Sequence, residues 1–369
     1  MAYTTIDDPS EYFTTLLYTG NATDNRNLTN DGNSDLQPDF IWLKERTGTS
    51  SHQLVDSTRG SSFAVMSDSN AVEDEDANRV QAFQTNGFQV GTASTVNQNT
   101  ITNLAFQWKV NGGTTSTTHS NGATNKVDDN VLQVNTTAGI AIVTYTGVED
   151  DNGNSPIFVH NLGGVAEFVL VKNRSQNDNW AVLHKDISAS GGTKSLILNN
   201  NAAASTDPDP FDGNAGASNG VYVKGQPSAV HEVNADGESY VAYCFRSIQG
   251  YSKIGSYTGN GSTNGAFVYT GFKPAWILFR RFDAANNWYV MDNKRNPSNP
   301  LTEAIGPDRN NAEIGAAVVG AAYNVDLVSN GFKFRTVEQS HNGNGSSYIY
   351  MAFAEHPFVS SKGAPVTAR

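Results

Sequence analysis

Five sequence landmarks recur in the same order three times along the chain, and this repeat constrains the fold more than any other feature. The clearest copy lies in the last third. It begins at residues 256–259 (Ser-Tyr-Thr-Gly), continues through the apolar run 274–279 and the segment 287–292, turns at Asn330-Gly331 and closes with residues 348–353. The period is about 110 to 130 residues, much longer than a solenoid unit, so each copy has the size of a folding domain.

The other two copies carry the same landmarks with changes. In the second copy they are residues 144–147, 168–172, 179–184, 219–223 and 239–245, and in the first copy they are residues 17–21, 38–44, 52–56, 86–90 and 104–108. The first copy is the most diverged, and His52 stands where the later copies have Trp180 and Trp288. We therefore expect an N-terminal arm (1–11), a first repeat (12–109), a linker (110–130), a second repeat (131–247), a third repeat (248–357) and a C-terminal tail (358–369).

The landmark segments have the character of β-strands. They are short, rich in β-branched or aromatic residues, and bounded by Asn, Gly or Pro, whereas helical patterns are weak throughout. Several such strands in each repeat predict an all-β protein of three antiparallel β-sandwich domains, of the jelly-roll or lectin-like kind. Between two landmarks of the second repeat, residues 199–219 include Pro208 and Pro210, which argue against a helix or a central strand and favour an exposed loop.

Charge and cysteine content exclude several classes of protein. The net charge of −12 argues against nucleic acid as a partner, because nucleic acid requires a basic surface. Cys244 is the only cysteine, which excludes an intrachain disulfide and predicts an inert core residue. Residues 1–18 lack the apolar core of a signal peptide, and no apolar run is long enough to span a bilayer. We expect synthesis in a cytoplasm and no insertion into a membrane.

No motif in the sequence carries recognisable catalytic chemistry. The seven histidines have no metal-site spacing, and no phosphate-binding or nucleophile motif is present. We predict no catalytic residues, no cofactor and no metal. Two alternatives remain open: Glu149 and Glu355 as the carboxylate pair of a glycosidase, and a calcium ion held by Asp207, Asp209 and Asp212.

A glycan-binding site is the one candidate site that the landmarks contain. Trp180 and Trp288 occupy corresponding positions, and each follows an asparagine, Asn179 and Asn287. An exposed aromatic face beside amide groups is suited to binding a sugar ring. The alternative is that both tryptophans pack inside the sandwiches.

The strongest landmarks resemble a repeat found in structural proteins of marine tailed bacteriophages. The likeness lies in residues 255–262, 267–275, 292–295, 327–333 and 348–355 of the third repeat, in residues 143–147 and 171–174 of the second, and in the terminal segments 2–9 and 365–369. It implies a virion protein, tail-fibre-like or lectin-like, that is assembled in the host cytoplasm and acts in host attachment. It also implies other virion proteins as partners, a host surface glycan as a ligand, and a homo-oligomer, with a trimer as one form.

Two other functions are compatible with this resemblance. A head-decoration protein of the same fold would sit on the capsid and stabilise it. A glycan-binding or glycan-degrading protein would use the aromatic or carboxylate residues named above. A heptad-repeat shaft is missing from the sequence, which favours a compact appendage over a long fibre.

Overall fold

The fold, seen in a computed structural model, is described for residues 3–118, 126–148, 155–187, 194–206, 210–212, 218–224, 232–315 and 323–366. These residues are nearly all β, in antiparallel sheets, as the sequence predicts. The helices among them are a 3₁₀ turn at Pro9–Glu11 and the single turn α1 at Ser94–Asn97. The chain therefore has an all-β, sandwich-type fold.

The first repeat forms a large sheet with strand order β1-β9-β3-β4-β5-β6 and a small sheet with order β2-β8-β7. Its strands are β1 (Phe13–Thr19), β2 (Arg26–Thr29), β3 (Phe40–Glu45), β4 (Gln53–Asp56), β5 (Gly60–Val65), β6 (Asp74–Glu75), β7 (Val80–Gln84), β8 (Gly87–Val90) and β9 (Thr102–Trp108).

The second repeat follows the same plan, with a large sheet β10-β11-β17-β13-β14-β15 and a small sheet β12-β16. Its strands are β10 (Asp128–Asn135), β11 (Ile140–Thr146), β12 (Ile157–Val159), β13 (Phe168–Asn173), β14 (Ala181–His184), β15 (Leu196–Ile197), β16 (Gly220–Tyr222) and β17 (Ser239–Phe245).

The third repeat has a large sheet β18-β24-β20-β21 and a small sheet β19-β23-β22. Its strands are β18 (Ser252–Thr258), β19 (Phe267–Tyr269), β20 (Phe272–Arg281), β21 (Tyr289–Asp292), β22 (Val325–Val328), β23 (Gly331–Phe334) and β24 (Ser347–Pro357).

Each large sheet is buried on both faces. In β3, Ile41 and Leu43 belong to a core that lies within the first repeat, whereas Phe40 and Trp42 point to the opposite face. This alternation follows from the two-residue period of a strand. The corresponding strands β13 and β20 divide their apolar side chains between two cores in the same way.

The second face of every large sheet lies against one shared core. That core contains side chains from all three repeats, including Trp108, Phe245 and Phe353. The sequence led us to expect separate sandwiches. The structure instead packs the large sheets against each other, because their outward-facing residues are also large and apolar. Whether each repeat is a domain in its own right stays a prediction.

The Tyr-Thr-Gly landmark closes a loop at the end of each large sheet. The hydroxyl groups of Tyr18, Tyr145 and Tyr257 donate to the carbonyl oxygens of Val96, Val233 and His341, at 2.7, 2.6 and 2.9 Å. In each case the residue after the acceptor is a buried asparagine whose amide bonds the loop backbone. The tyrosine of each landmark therefore stabilises the fold by holding this loop in place.

Two segments expected to be a linker and an exposed loop contribute to the fold. In the linker, Ser116 forms a β-bridge with Leu132, and Lys126 forms one with Ile157. In the loop 199–219, Phe211 is fully buried in the core of the second repeat, so the expectation of an exposed loop is wrong at this position. The physical reason is the aromatic side chain of Phe211, whose burial removes a large apolar surface from water.

Candidate functional site

The three repeats are joined by one hydrogen bond that recurs in a closed cycle. Trp180 Nε1 donates to the Met66 carbonyl oxygen at 2.8 Å, and Trp288 Nε1 donates to that of Ile197 at 3.0 Å. In the third link, His52 Nε2 lies 3.0 Å from the Gly306 carbonyl oxygen. The second repeat thus donates a hydrogen bond to the first, the third donates one to the second, and the first donates one to the third. We call each of these three contacts between repeats a junction.

The ring of His52 replaces an indole in this cycle. Trp42 Nε1 donates to His52 Nδ1 at 2.8 Å, so the His52 proton resides on Nε2 and is donated to Gly306. Burial lowers the pKa of His52 to about 4, which keeps the ring neutral at neutral pH. The Nε2–H group of a neutral imidazole therefore makes the hydrogen bond that a tryptophan Nε1–H group makes at each of the other two junctions.

Strand register shows that the three links are structurally equivalent. Leu54 pairs with Val65, Val182 with Leu196, and Val290 with Ile305. Each ring donor lies two residues before the first member of its pair, and each carbonyl acceptor lies one residue after the second member. The correspondence of His52, Trp180 and Trp288 inferred from sequence therefore holds in three dimensions.

The four candidate glycan-binding residues lie at these junctions. Trp180 and Trp288 are both 0% exposed, so neither indole presents a face to solvent. Asn179 Oδ1 accepts a hydrogen bond from Asn199 Nδ2 at 2.9 Å, and the Asn287 amide lies 2.8 Å from Asp308 Oδ2. Glycan binding by these residues stays a prediction. Their burial and hydrogen bonds support a role in packing the core and in joining the repeats.

Two of the three junctions carry a buried ionic cluster. Glu73 accepts from Arg59 Nη1 at 2.7 Å and from Arg174 of the second repeat at 2.9 and 2.7 Å. Burial alone would raise the pKa of Glu73, but the hydrogen bonds from Arg174 and the charge of Arg59 outweigh it and lower the pKa. The carboxylate therefore stays ionised, between one guanidinium of its own repeat and one of the next.

The third repeat joins the first through an equivalent cluster. Glu313 accepts from Arg295 Nη1 at 3.0 Å and from Arg46 of the first repeat at 3.0 and 2.8 Å. Arg295 also pairs with Asp292, as Arg59 pairs with Asp56, and all four of these side chains are 0% exposed. These clusters were not predicted from the sequence, although the first and third repeats share the spacing Asp-x-x-Arg at Asp56/Arg59 and Asp292/Arg295.

The remaining junction, between the third and second repeats, has uncharged residues at the same positions. A backbone hydrogen bond that recurs at all three junctions shows which residues correspond. At the two ionic junctions, Glu73 N–H donates to Arg174 O at 3.1 Å and Glu313 N–H donates to Arg46 O at 2.7 Å. At the remaining junction, Ala204 N–H donates to Phe282 O at 2.9 Å. An arginine–glutamate pair is thus replaced by phenylalanine and alanine. The Asp-x-x-Arg pair is replaced there by His184 and Ile187.

A groove of about 380 Å³ lies between the first and third repeats. Its polar lining includes Asp8, Asp31, Asn33, Asn293, Lys294, Glu355 and His356, above a floor with Phe13 and Ala354. Lys294 bridges the two sides by pairing with Asp31 at 2.7 Å. Carboxylate, amide and ammonium groups around a partly apolar floor are suited to a hydroxyl-rich ligand.

The alternatives left open by the sequence are only partly covered by the described residues. Glu355 lies in the groove and pairs with Lys273 at 2.7 Å, whereas Glu149 lies outside the described residues. Asp207 and Asp209 also lie outside them. Among the residues that are described, no group of three or more His, Cys, Asp or Glu side chains is arranged to hold a metal ion.

Fold and junctions together define a class: all-β proteins in which the paired antiparallel sheets of three repeats share one core. A family profile described as a domain of unknown function (DUF7483) matches residues 8–357, and the chain belongs to that family. The match extends from Asp8 to the last residue of β24, across all three repeats.

Two further comparisons were negative: no curated protein and no solved structure matches the chain. The helices within the described ranges are too short or too polar to cross a membrane.

Proposed function

We propose that this chain is a structural protein of a bacteriophage virion, a tail-fibre-like appendage that takes part in host attachment. The observation that carries the proposal is the closed cycle of junctions around one shared core, taken with the resemblance in the landmark segments. An attachment protein transmits force and presents a surface in a fixed orientation, and both tasks need a body whose parts do not move relative to each other.

The energetics of the junctions support a rigid body. Each junction combines a buried ring N–H bond with apolar side chains of the shared core. Two junctions add an ion pair that separation of the repeats would break, Arg174 with Glu73 and Arg46 with Glu313. Opening one junction would expose side chains of the shared core to water, at a cost of roughly 25 cal/mol for each Å² of apolar surface. The small outer sheets and their loops are then available to partners.

The groove between the first and third repeats favours a second candidate function, binding of a host surface glycan. Its amide and carboxylate side chains offer both donors and acceptors to sugar hydroxyl groups. This function is compatible with attachment. Loss of binding to isolated host polysaccharide in the variants Asn293→Ala and Asn33→Ala, with unchanged thermal stability, would support the groove as the glycan site. Unchanged binding in both would exclude it.

Locating the protein in purified particles tests the proposal. Mass spectrometry should detect the chain in the virion, and cryo-EM density should place it on the tail, accessible from outside. Purified protein added to host cells should reduce adsorption of the particles. Absence from the particle would overturn the proposal. Density on the capsid, with adsorption unaffected, would assign the chain to head decoration instead.

The expected homo-oligomer is tested separately. Mass photometry of the purified chain distinguishes a monomer from a dimer or trimer. Three related repeats in one chain already supply a threefold-like arrangement of sheets, so a monomer docked on a threefold axis of a partner is a further assembly compatible with attachment.

A further inference from the structure

The outer edge strand of the third repeat is exposed and aromatic. Phe267 and Tyr269 on β19 are 47% and 57% exposed, whereas Val268 between them is 5% exposed. Alternate residues of a strand point to one face, so the two rings share the outward face of β19. Edge strands expose unpaired backbone groups, and proteins ordinarily protect them with charge, proline or a covering segment. Among the described residues, no segment pairs with this edge of β19.

The equivalent strand of the second repeat, β12, is fully covered. Val159 pairs with Gly220 of an Asn-Gly landmark, and Tyr269 pairs with Gly331 of the corresponding landmark, which aligns the two strands. Ile157 and Val159 therefore correspond to Phe267 and Tyr269. Their exposures are 1% and 0%.

An extended segment of the chain itself bonds the edge of β12. Lys126 forms a parallel bridge with Ile157, and Val127 N–H donates to the Ile157 carbonyl oxygen at 3.2 Å. The Asn130 side chain accepts from Val159 N–H at 2.6 Å and donates to Val159 O at 3.2 Å. Val127 is itself buried against the core of the second repeat. An aliphatic residue followed three positions later by asparagine thus completes this edge.

The first repeat protects the same edge by a different means. Its equivalent residues are Asn27 and Thr29, and Asn27 Oδ1 accepts from the side-chain amides of Gln84 and Gln89 at 2.8 and 2.9 Å. The edge strand is therefore polar in the first repeat (β2), covered in the second (β12), and exposed and aromatic in the third (β19). Within the described residues, the N-terminal arm contacts the far end of β19, where Tyr3 donates to the Gly271 carbonyl oxygen at 2.6 Å and its hydroxyl group interacts with that of Tyr269.

We propose that β19 binds an extended segment of a partner polypeptide, added parallel to the strand as residues 126–130 are added to β12. The partner supplies an aliphatic side chain in the place that Val127 takes in the second repeat, and an asparagine three residues later that bonds the Tyr269 backbone. The rings of Phe267 and Tyr269 flank the added segment. Strand addition of this kind draws affinity from backbone bonds and specificity from side-chain contacts. The inference does not depend on the proposed role in a virion.

A peptide from the chain itself serves as the probe. A fluorescein-labelled peptide with the sequence of residues 124–132 is titrated with the full-length protein, and its anisotropy is followed. We expect saturable binding, and a loss of about fivefold in affinity when the peptide carries Asn130→Ala, because two hydrogen bonds are removed. Nuclear Overhauser contacts should connect the Val127 methyl groups of the peptide to the third repeat.

Matched variants of the protein locate the site. The double variant Phe267→Asn, Tyr269→Thr carries the residues of the first repeat and should weaken peptide binding by about tenfold or more. Val165→Thr, which changes another exposed aliphatic residue in the second repeat, should leave binding unchanged. Equal thermal unfolding midpoints confirm that the variants are folded.

Three results would overturn the proposal. The first is equal peptide affinity in the double variant and the unmodified protein. The second is no saturable binding at peptide concentrations up to the millimolar range. The third is a glycan-array signal that the double variant abolishes while peptide binding persists, which would assign the two rings to sugar recognition.

Discussion

The rings of Trp108 and Phe245 meet edge to face at the centre of the molecule, with centroids 6.2 Å apart and an interplanar angle of 64°. Phe353 completes the group, at 5.8 Å from Trp108 and 6.2 Å from Phe245. The three residues occupy the same register position in β9, β17 and β24. One aromatic side chain from each repeat therefore lies where the three large sheets meet.

This arrangement predicts that the three repeats unfold together. Phe245→Ala should lower the free energy of unfolding by about 3 to 5 kcal/mol, the usual cost of removing a buried phenylalanine. Urea unfolding followed by tryptophan fluorescence and by far-UV circular dichroism should give one coincident transition in both proteins. If hydrogen exchange of Phe245→Ala shows that the first and third repeats keep their amide protection while the second repeat loses it, the repeats are independent domains. Val165→Thr is the matched surface control.

The ionic cluster of Glu73 should depend strongly on both of its arginine partners. Glu73→Ala leaves the fully buried Arg59 side chain with one carboxylate instead of two, and we expect a loss of about 3 kcal/mol in unfolding free energy. Adding Arg174→Phe to Glu73→Ala recreates the pair found as Phe282 and Ala204 at the third junction. The double variant should recover about 1 kcal/mol or more of that loss. Additive effects in the double-mutant cycle would show that the two side chains act separately.

The glycine of the Tyr-Thr-Gly landmark should resist substitution. A Cβ at Gly147 would lie 2.1 Å from the Ala235 carbonyl oxygen, and one at Gly259 would lie 2.3 Å from that of Gly343. Both neighbours are backbone atoms in loops held by buried asparagines, so they cannot move aside at low cost. Gly147→Ala and Gly259→Ala should each lower the unfolding free energy by about 2 kcal/mol or more. Gly315→Ala, where a Cβ meets no atom of the described residues within 4 Å, is the control and should change the unfolding free energy by less than about 1 kcal/mol. Equal effects at all three positions in chemical denaturation would contradict the steric explanation.

Stability should fall on acidification through the histidine range. Burial lowers the pKa of His52 and His160 to about 4 and that of His184 to about 3. Between pH 4 and 6 the unfolded chain protonates these rings and the folded chain does not, so unfolding takes up protons and acid destabilises the fold. Asp308 acts in the opposite direction, because burial raises its pKa to about 6 in the folded state.

Together these four side chains take up about two protons on unfolding near pH 5, which corresponds to a loss of about 2.5 kcal/mol of stability for each unit by which the pH falls. Urea unfolding measured from pH 4.5 to 7 gives this slope directly. His184→Leu should reduce it by about one proton. A slope near zero would mean that the buried rings are already charged in the folded protein.

Several structural features could be predicted from the sequence because they depend on local patterns. Apolar and aromatic runs bounded by Asn and Gly favour strands through local preferences, and the all-β fold was predicted from these runs. The equivalence of His52, Trp180 and Trp288 also followed from the landmark order and is preserved in the strand register. The continuous apolar run Phe40 to Leu43 in β3 carried a further signal, because consecutive apolar residues in a strand point to both faces and indicate that both faces are covered.

The sequence by itself determined the strands, the three copies and the order of the landmarks, because each depends on neighbours along the chain. Only the tertiary structure determined how the three repeats pack against each other and which side chains form bonds between them. The shared core, the cycle of ring N–H bonds and the ion pairs between repeats join residues that are distant along the chain, 91 to 254 positions apart in the cycle. The open edge of β19 became visible in the same way, through comparison with the covered edge of β12. The physical reason is that burial and charge pairing depend on distances in space, which no spacing along the chain specifies.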